Sequence, residues 1–349
     1  MTPFPREAYR GLTRYAPDRR PVEVDLSDNT SRRGAHPAAV KIMQGASAED
    51  LTRYPSVYSE QLRLAVAETF EVPLDSVSTG CGSDGLLDSA FRAAGEPGEE
   101  IAFLTPTFSM VETFARMNGM TPRPVRQTDE DDPSALLAEA PALLYLCSPN
   151  NPTGKILQKP WIERLLVAAE SLGTIVLLDE AYADFADGDF VQEAVRSTRL
   201  LILRTMSKAY GLAGLRVGFA LGPPDVIREI EKSRGPYQIS RLGEAAAVAA
   251  LRDEEQWLDG VIQEVKHERE RLQEELKGRG WRPLPSGGNF ILVPLEGRPS
   301  REVTAALRVK GVAVRPFPAL PGVGDSIRVS IGPRNELDRF LVALDEVTA

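Results

Sequence analysis

A mostly parallel α/β sheet with helices on both faces, followed by a smaller α+β unit, is the fold this sequence predicts. Five short apolar runs, Ile101–Leu104, Leu143–Leu146, Ile175–Leu178, Leu200–Leu203 and Val217–Leu221, alternate with helical stretches such as Trp161–Ser171. That alternation is the pattern of parallel strands joined by crossover helices. Three of the runs lead into polar turns, at the strand ends where open α/β sheets place their ligands. From about Pro236 the texture changes: a long charged helical region, about Gly243 to Gly278, precedes the short strand patterns Asn289–Val293, Gly311–Arg315 and Ser326–Ser330.

Each turn carries polar groups beyond what a turn needs. Leu200-Leu-Ile-Leu-Arg-Thr-Met-Ser-Lys208 runs from an apolar strand into Ser207 and Lys208, and Arg216 follows eight residues after the lysine. A lysine just past a buried strand is poorly solvated, and it suits covalent attachment to an aldehyde cofactor such as pyridoxal phosphate. Leu177-Leu-Asp-Glu-Ala-Tyr182 sets Asp179 at a strand's carboxyl end, with the Tyr182 phenol three residues on. Asp179 there is a helix cap or the carboxylate that pyridoxal chemistry needs beside its pyridine nitrogen. Cys147-Ser-Pro-Asn-Asn-Pro-Thr-Gly154 is a strand-exit turn whose two prolines pre-set Asn151 for a ligand oxygen.

Ser78-Thr-Gly-Cys-Gly-Ser-Asp-Gly85 opens an amphipathic helix, and backbone N–H groups at such a start form a phosphate site. Gly80, Gly82 and Gly85 also match G-x-G-x-x-G, with Glu99 and Glu100 near the ribose-binding spacing, so a nucleotide-dependent dehydrogenase stays open on this segment alone. Both readings place a phosphate here; only the pyridoxal reading uses Lys208, Asp179 and Asn151.

At this point the residues carry a resemblance to a known family. The chain resembles the fold-type I pyridoxal-phosphate-dependent aminotransferases, and within them it is similar to the histidinol-phosphate aminotransferases. The similarity runs from Leu12-Thr-Arg-Tyr15 and Arg53-Tyr-Pro55 through Pro106-Thr-Phe-Ser-Met110, Ser148 to Gly154, Asp179 to Tyr182 and Thr205 to Lys208 with Arg216. It ends with Pro236-Tyr237, Asn289-Phe290 and Arg328-Val-Ser-Ile-Gly332. Phe108 stands where the family usually has tyrosine. Ser27-Asp-Asn-Thr-Ser31 replaces an Asn-Glu-Asn-Pro-like segment, and Arg241 replaces a small or neutral residue.

The resemblance implies a seven-stranded large domain over residues 36–235, an N-terminal arm over 1–35 and a small domain over 236–349. It implies that Lys208 holds the cofactor and moves the proton, with a pKa lowered by a nearby cation and by attachment. Asp179 would pair with the ring nitrogen, Asn151 and Tyr182 with the phenolic oxygen, and Phe108 would stack on the ring. Ser83, Asp84, Thr205, Ser207 and Arg216 would gather round the phosphate, joined by Tyr54 from a second copy in a homodimer. Tyr15, Asn29, Arg315, Arg328 and the unusual Arg241 would form the substrate end. A ping-pong cycle follows, with histidinol phosphate and 2-oxoglutarate as the first pair. Another amino-acid aminotransferase, aromatic or not, and a decarboxylase of a phosphorylated amino acid are the alternatives within the fold.

Composition sets the remaining bounds. The 349 residues suffice for one large domain and a smaller one, and 42% hydrophobic content supports a sizeable core. No apolar run reaches ~18 residues, so no membrane span is expected. The start lacks an apolar signal core, so a cytoplasmic protein is expected. A net charge of −9 opposes non-specific nucleic-acid binding and leaves anion capture to local arginines. Cys81 and Cys147 read as small buried thiols, and no metal site is expected. His36, in a loop before Pro37, and His267, on a charged helical face, read as surface residues, and Asp129-Glu-Asp-Asp132 as a solvated turn.

Overall fold

The computed structural model describes residues 4–126 and 132–349. All but the last residue of the acidic run 129–132 therefore lie outside the described residues. Asp132 is exposed and accepts a hydrogen bond from the Ser134 amide at 3.0 Å.

The described strands are, in chain order, β1 (Val24–Asp25), β2 (Val77–Cys81), β3 (Glu100–Leu104), β4 (Thr121–Val125), β5 (Leu143–Cys147), β6 (Ile175–Asp179), β7 (Leu200–Thr205), β8 (Val217–Leu221), β9 (Phe290–Pro294), β10 (Val312–Ala313), β11 (Arg315–Leu320) and β12 (Gly324–Ser330). Seven of them form one sheet in the order β2-β8-β7-β6-β5-β3-β4. Within it β8 runs antiparallel to both β2 and β7, while the other pairings are parallel. Strands β5, β7 and β8 are buried along their whole length, as expected for a sheet covered on both faces.

All five strand patterns of the first half appear within a residue or two of their expected bounds. Of the seven strands, β2 and β4 are outside the expected patterns. The β4 sequence Thr-Pro-Arg-Pro-Val carries two prolines, which a strand tolerates at a sheet edge, and β4 is one of the two edges. Strand β2 is polar yet buried. Its hydroxyls are satisfied: Ser78 bonds Glu231, and Thr79 donates to the Tyr58 carbonyl at 3.2 Å.

The smaller unit is the antiparallel sheet β11-β12-β9 with helices Ser300–Val309 and Arg334–Thr348. The arm joins it through the parallel pair β1-β10. Helix Arg241–Arg252, just past Pro236, packs on helices Pro37–Gln44 and Glu60–Phe70. The long charged region is two helices, Arg241–Arg252 and Trp257–Gly278. Asp253 and Gln256 break it, each with a positive φ, and Asp253 caps the second helix through the Trp257 and Leu258 amides at 3.0 Å.

That break corrects the expectation for His36, which is 2% exposed. Its Nδ1 accepts from the Ala38 amide, its Nε2 lies 2.8 Å from Asp253, and its ring meets Trp257 edge-on. A loop histidine before proline gave no hint of a partner so distant in sequence. His267 is exposed as expected, whereas Arg269 beside it is buried. Cys147 is buried but Cys81 is exposed, because the last residue of β2 turns outward into the loop. Among the described residues no helix is long and apolar enough to cross a membrane, and no cluster of candidate metal ligands occurs.

Asp253→Ala should destabilise the chain by about 2–4 kcal/mol, combining a lost helix cap with an orphaned buried imidazole. Urea unfolding followed by circular dichroism checks this.

Candidate active site

The turns after β5, β6 and β7 converge on one cavity of about 430 Å³, closed on its other side by the arm and by β11 and β12. Thirteen of the expected site residues line it, namely Tyr15, Ser83, Asp84, Phe108, Asn151, Asp179, Tyr182, Thr205, Ser207, Lys208, Arg216, Arg315 and Arg328, together with Ser27, Asp28 and Thr30 of the departing segment.

Lys208 follows β7 by three residues, and its amine lies 5.5 Å from the centre of the Tyr182 ring. Burial lowers its pKa to about 8, with further lowering from Arg328 and a smaller share from Arg216. The expected neighbouring cation is present, but desolvation is the larger cause. Asp179 ends β6. Its Oδ2 accepts from the Tyr145 hydroxyl at 2.8 Å and its Oδ1 from the Ala181 amide at 3.0 Å. Burial lifts its pKa to about 6 despite both donors. A cation placed beside this carboxylate would reverse that shift. Tyr145 was absent from the sequence-derived site. The signal was there: a tyrosine inside a fully buried strand needs a partner for its hydroxyl.

Asn151 and Asn150 divide the labour of their turn. Asn150 holds the turn itself, accepting from Thr107 at 2.8 Å and donating to the Pro106 carbonyl and Thr153. Asn151 gives its carbonyl oxygen to Arg328, which leaves its NH₂ as the donor for a ligand oxygen. Phe108 presents a half-buried aromatic face to the cavity.

Ser207, Arg216 and the start of helix Gly82–Ala94 make a second cluster. Arg216 donates to the Ser207 hydroxyl at 3.3 Å and pairs with Asp84 at 3.2 Å. Thr205 steadies Ser207 through its hydroxyl at 3.0 Å. The Asp84 carboxylate would repel a phosphate, so only its backbone amide suits one there. Two glycines are sterically required. A Cβ on Gly82, already at φ +69°, would lie 2.6 Å from the Arg216 guanidinium, and one on Gly218 would lie 2.5 Å from the Gly82 carbonyl carbon. The loop is thus pressed against β8, and it aims the first amides of the helix at the cavity.

Arg328 is 7% exposed and lies between the Phe290 and Phe317 rings, at 5.4 and 5.6 Å from their centres. Its partners are neutral: the Asn151 side chain and, at 3.0 Å, the Ser27 carbonyl. Among the described residues no carboxylate lies within ion-pair distance of it, and its buried Nε has no partner. Burial lowers its pKa. A buried cation with neutral partners is an incomplete ion pair and a seat for an anion. Arg315 stands directly opposite on β11, donating to the Tyr15 hydroxyl at 3.5 Å.

Three expected residues stand outside the cavity. Asn29 is fully buried behind Tyr182: its Nδ2 donates to the phenol oxygen at 3.1 Å, while its Oδ1 accepts from Ser330 at 2.9 Å. It orients the phenol instead of meeting a substrate, and it leaves the phenolic proton free to be donated into the cavity. Arg241, at the start of its helix, is tied to Asp50 at 3.1 Å. Tyr54 is 81% exposed and stacks on Tyr237 at 4.9 Å.

Comparison with known proteins places this geometry. Residues 21–344 match the family described as "Aminotransferase class I and II". The chain belongs to that family. Its relatives include an aromatic amino acid aminotransferase of Thermobifida fusca, 35% identical over 97% of this chain and 96% of that one. A histidinol-phosphate aminotransferase of Rippkaea orientalis is 34% identical over 98% of both. The crystal structure of histidinol-phosphate aminotransferase from Sinorhizobium meliloti in complex with pyridoxal-5'-phosphate superposes with a TM-score of 0.85 at 29% identity, covering 94% of this chain and 91% of that one.

This aminotransferase is pyridoxal-phosphate dependent and has the fold-type I architecture, which removes the dehydrogenase alternative. The residues present fit the cofactor. The cavity holds a buried amine of lowered pKa, a buried carboxylate, an aromatic face and a glycine-pressed helix start backed by a guanidinium.

Attachment of pyridoxal phosphate to the cofactor-free chain requires the neutral Lys208 amine. The attachment rate, followed by absorbance, should rise through about pH 8 instead of near the ordinary lysine value of 10.5. Arg328→Leu should move that inflection upward, because a cation opposing protonation is gone.

Proposed function

We propose that this aminotransferase moves the amino group of histidinol phosphate to 2-oxoglutarate in a ping-pong cycle. The observation that carries this reading is Arg328, buried without a carboxylate and paired across two strands with Arg315. Such a seat takes the phosphate of one substrate and a carboxylate of the other in turn, as a ping-pong cycle with two unlike anions requires. Tyr15 adds a hydroxyl beside Arg315.

When bound, pyridoxal phosphate supplies an electron sink conjugated to the reacting carbon. Lys208 would hold the cofactor through its amine and, when free, would move the proton at the reacting carbon, for which a pKa of about 8 suits it. Asp179 would keep the ring nitrogen protonated, and the Tyr145 hydroxyl would hold that carboxylate in place. The Asn151 NH₂ and the Tyr182 phenol would donate to the ring's phenolic oxygen, with Asn29 orienting the phenol. Phe108 would stack on the ring. Ser83, the Asp84 amide, Thr205, Ser207 and Arg216 would hold the phosphate.

The exposed Tyr54 suits a shared site: in a homodimer, Tyr54 of the partner subunit would reach the phosphate. The Arg-Tyr-Pro resemblance and the exposure of this stacked aromatic pair support that arrangement. A cytoplasmic biosynthetic enzyme is the setting this chemistry fits.

A second reading has its own support. The rings of Phe290 and Phe317 flank Arg328, and the Thermobifida relative is named for aromatic amino acids. An aromatic α-amino acid would then place its carboxylate on Arg328.

Lys208→Ala should retain the fold and bind pyridoxal phosphate without covalent attachment. Steady-state transamination should fall to background, and appreciable turnover would remove Lys208 from its role.

Steady-state kinetics on three amines separates the two substrate readings. Each charge-assisted hydrogen bond is worth ~1.5–3 kcal/mol. Histidinol phosphate should therefore exceed histidinol by roughly 10²–10⁴-fold in kcat/KM. Arg315→Ala should erase most of that gap. Faster turnover of phenylalanine than of histidinol phosphate would establish the aromatic reading instead.

A further inference from the structure

The segment between β6 and helix Val191–Arg196 begins beside Asp179 and carries Tyr182, and one guanidinium gathers it. Arg204 lies in β7, one residue before Thr205 and four before Lys208. It is 5% exposed. Its Nε bonds Glu180 at 3.0 Å, its Nη1 Asp184 at 3.1 Å and its Nη2 Asp189 at 2.8 Å. The three carboxylates come from before, within and after the short turn Ala183–Phe185 that follows Tyr182. All three guanidinium nitrogens thus bond one segment.

Strand alternation explains why this cluster sits where it does. Asp179 and Thr205 line the cavity, so their neighbours Glu180 and Arg204 project to the opposite face of the sheet. The Glu180 amide bonds the Leu203 carbonyl at 2.9 Å, and its Oε1 accepts from the Phe190 amide at 2.9 Å. Glu180 therefore closes the segment on itself while Arg204 ties it to β7. Around the guanidinium lie the Phe70 ring, 5.5 Å away, and Tyr210. Arg269 and Lys266 grip the segment from the small unit, through the Phe185 carbonyl at 3.1 Å and Asp187 at 2.7 Å.

The charges demand Arg204. Glu180 is buried and Asp184 largely so, and desolvation pushes Glu180 up to about 7 and Asp184 upward. Remove the Arg204 guanidinium and both desolvated carboxylates lose their ion-pair partner, which forces protonation or opening of the segment. A surface segment needs no such arrangement. This one carries the phenol at the cavity, and Asn29 holds that phenol to a single hydrogen bond from the other side.

We propose that Arg204 is a positioning residue of the active site: without touching any ligand, it fixes the segment that presents the Asp179 carboxylate and the Tyr182 phenol to the cofactor ring. This rests on the reading that the ring lies against those two groups.

Arg204→Met tests it, because methionine fills the volume without the bonds. In the cofactor-free chain, hydrogen exchange of the Ala183, Phe185, Ala186 and Phe190 amides should quicken ~10-fold or more, while β5–β7 amides stay protected. In the loaded enzyme, the pH midpoint of the bound cofactor's absorbance should move up by about one unit, since a phenol donating to its charged oxygen is misplaced. kcat should fall ~10–100-fold with KM within about threefold. Arg204→Lys, which keeps the charge but not the three-way bonding, should recover part of the midpoint shift. An unchanged midpoint in folded Arg204→Met, or protection lost evenly across the sheet, overturns the proposal. Should Arg204→Met fail to fold, Asp189→Ala removes only the half-exposed arm of the cluster. It should shift exchange and midpoint less but in the same directions, and no change in either overturns the proposal. Borohydride trapping at Lys208 in the unaltered chain tests the cofactor reading separately. If trapping fails there, the exchange pattern of the cofactor-free chain still decides for or against Arg204.

Discussion

Desolvated positive charge in one cavity is the constraint on which the rest of this structure depends. Arg328 is buried there and Lys208 partly so; burial weakens the hold of both on their protons, Arg328 weakens it further at Lys208, and Arg315 does so at Arg328. Two like charges out of water are costly unless the surroundings are rigid and polar. The fold meets this by placing both beside neutral donors and acceptors, Asn151, Ser27 and Tyr182, held by strands that are themselves fully buried. The carboxylates nearest to hand are engaged elsewhere: Asp28 with Arg19 and Thr30, Asp84 with Arg216, and Asp179 with Tyr145. The cavity is therefore left short of negative charge, and an anionic cofactor and anionic substrates supply it.

The same sheet uses its other face for a contrasting solution. There a single guanidinium is surrounded by carboxylates, and the excess is acidic. The two faces are coupled by strand geometry alone. Asp179 and Glu180 are adjacent, as are Arg204 and Thr205, so fixing one face fixes the register of the other. A parallel sheet suits this, since β6 and β7 end side by side and deliver a carboxylate and an amine to one place. The glycines at 82 and 218 then bring the phosphate loop down onto β8.

Much of this was legible in the sequence, for a physical reason. Strands buried on both faces must be apolar throughout, so β5, β6, β7 and β8 announce themselves, and a charged residue ending such a strand stands out. Asp179 and Lys208 were visible on those grounds. What stayed hidden depended on partners far along the chain. His36 is buried because Asp253 and Trp257 reach it. Asn29 turned out to serve Tyr182 because Ser330 takes its other end. Arg241 is occupied by Asp50 across a span of 191 residues. Proline-bearing β4 was invisible because an edge strand need not read as a strand.

The two departures from the family pattern differ in what they touch. Arg241 is spent on a surface pair outside the cavity, so its unusual identity has no direct route to substrate within one chain. The segment Ser27 to Ser31 is different. Its Ser27 carbonyl holds Arg328, its Asp28 lines the cavity and anchors Arg19 of the arm, and its Asn29 holds the phenol. One short run thus touches the anion seat, the arm and the ring-side phenol together. Asp28 is held well below the usual carboxylate range, to about 2, by Thr30 and Arg19 against the opposing effect of burial, so it stays charged throughout the working range. A permanent negative charge at the mouth of a cation-rich cavity tempers its attraction for anions. It also ties down the arm that carries Tyr15 and, with it, the approach to Arg315.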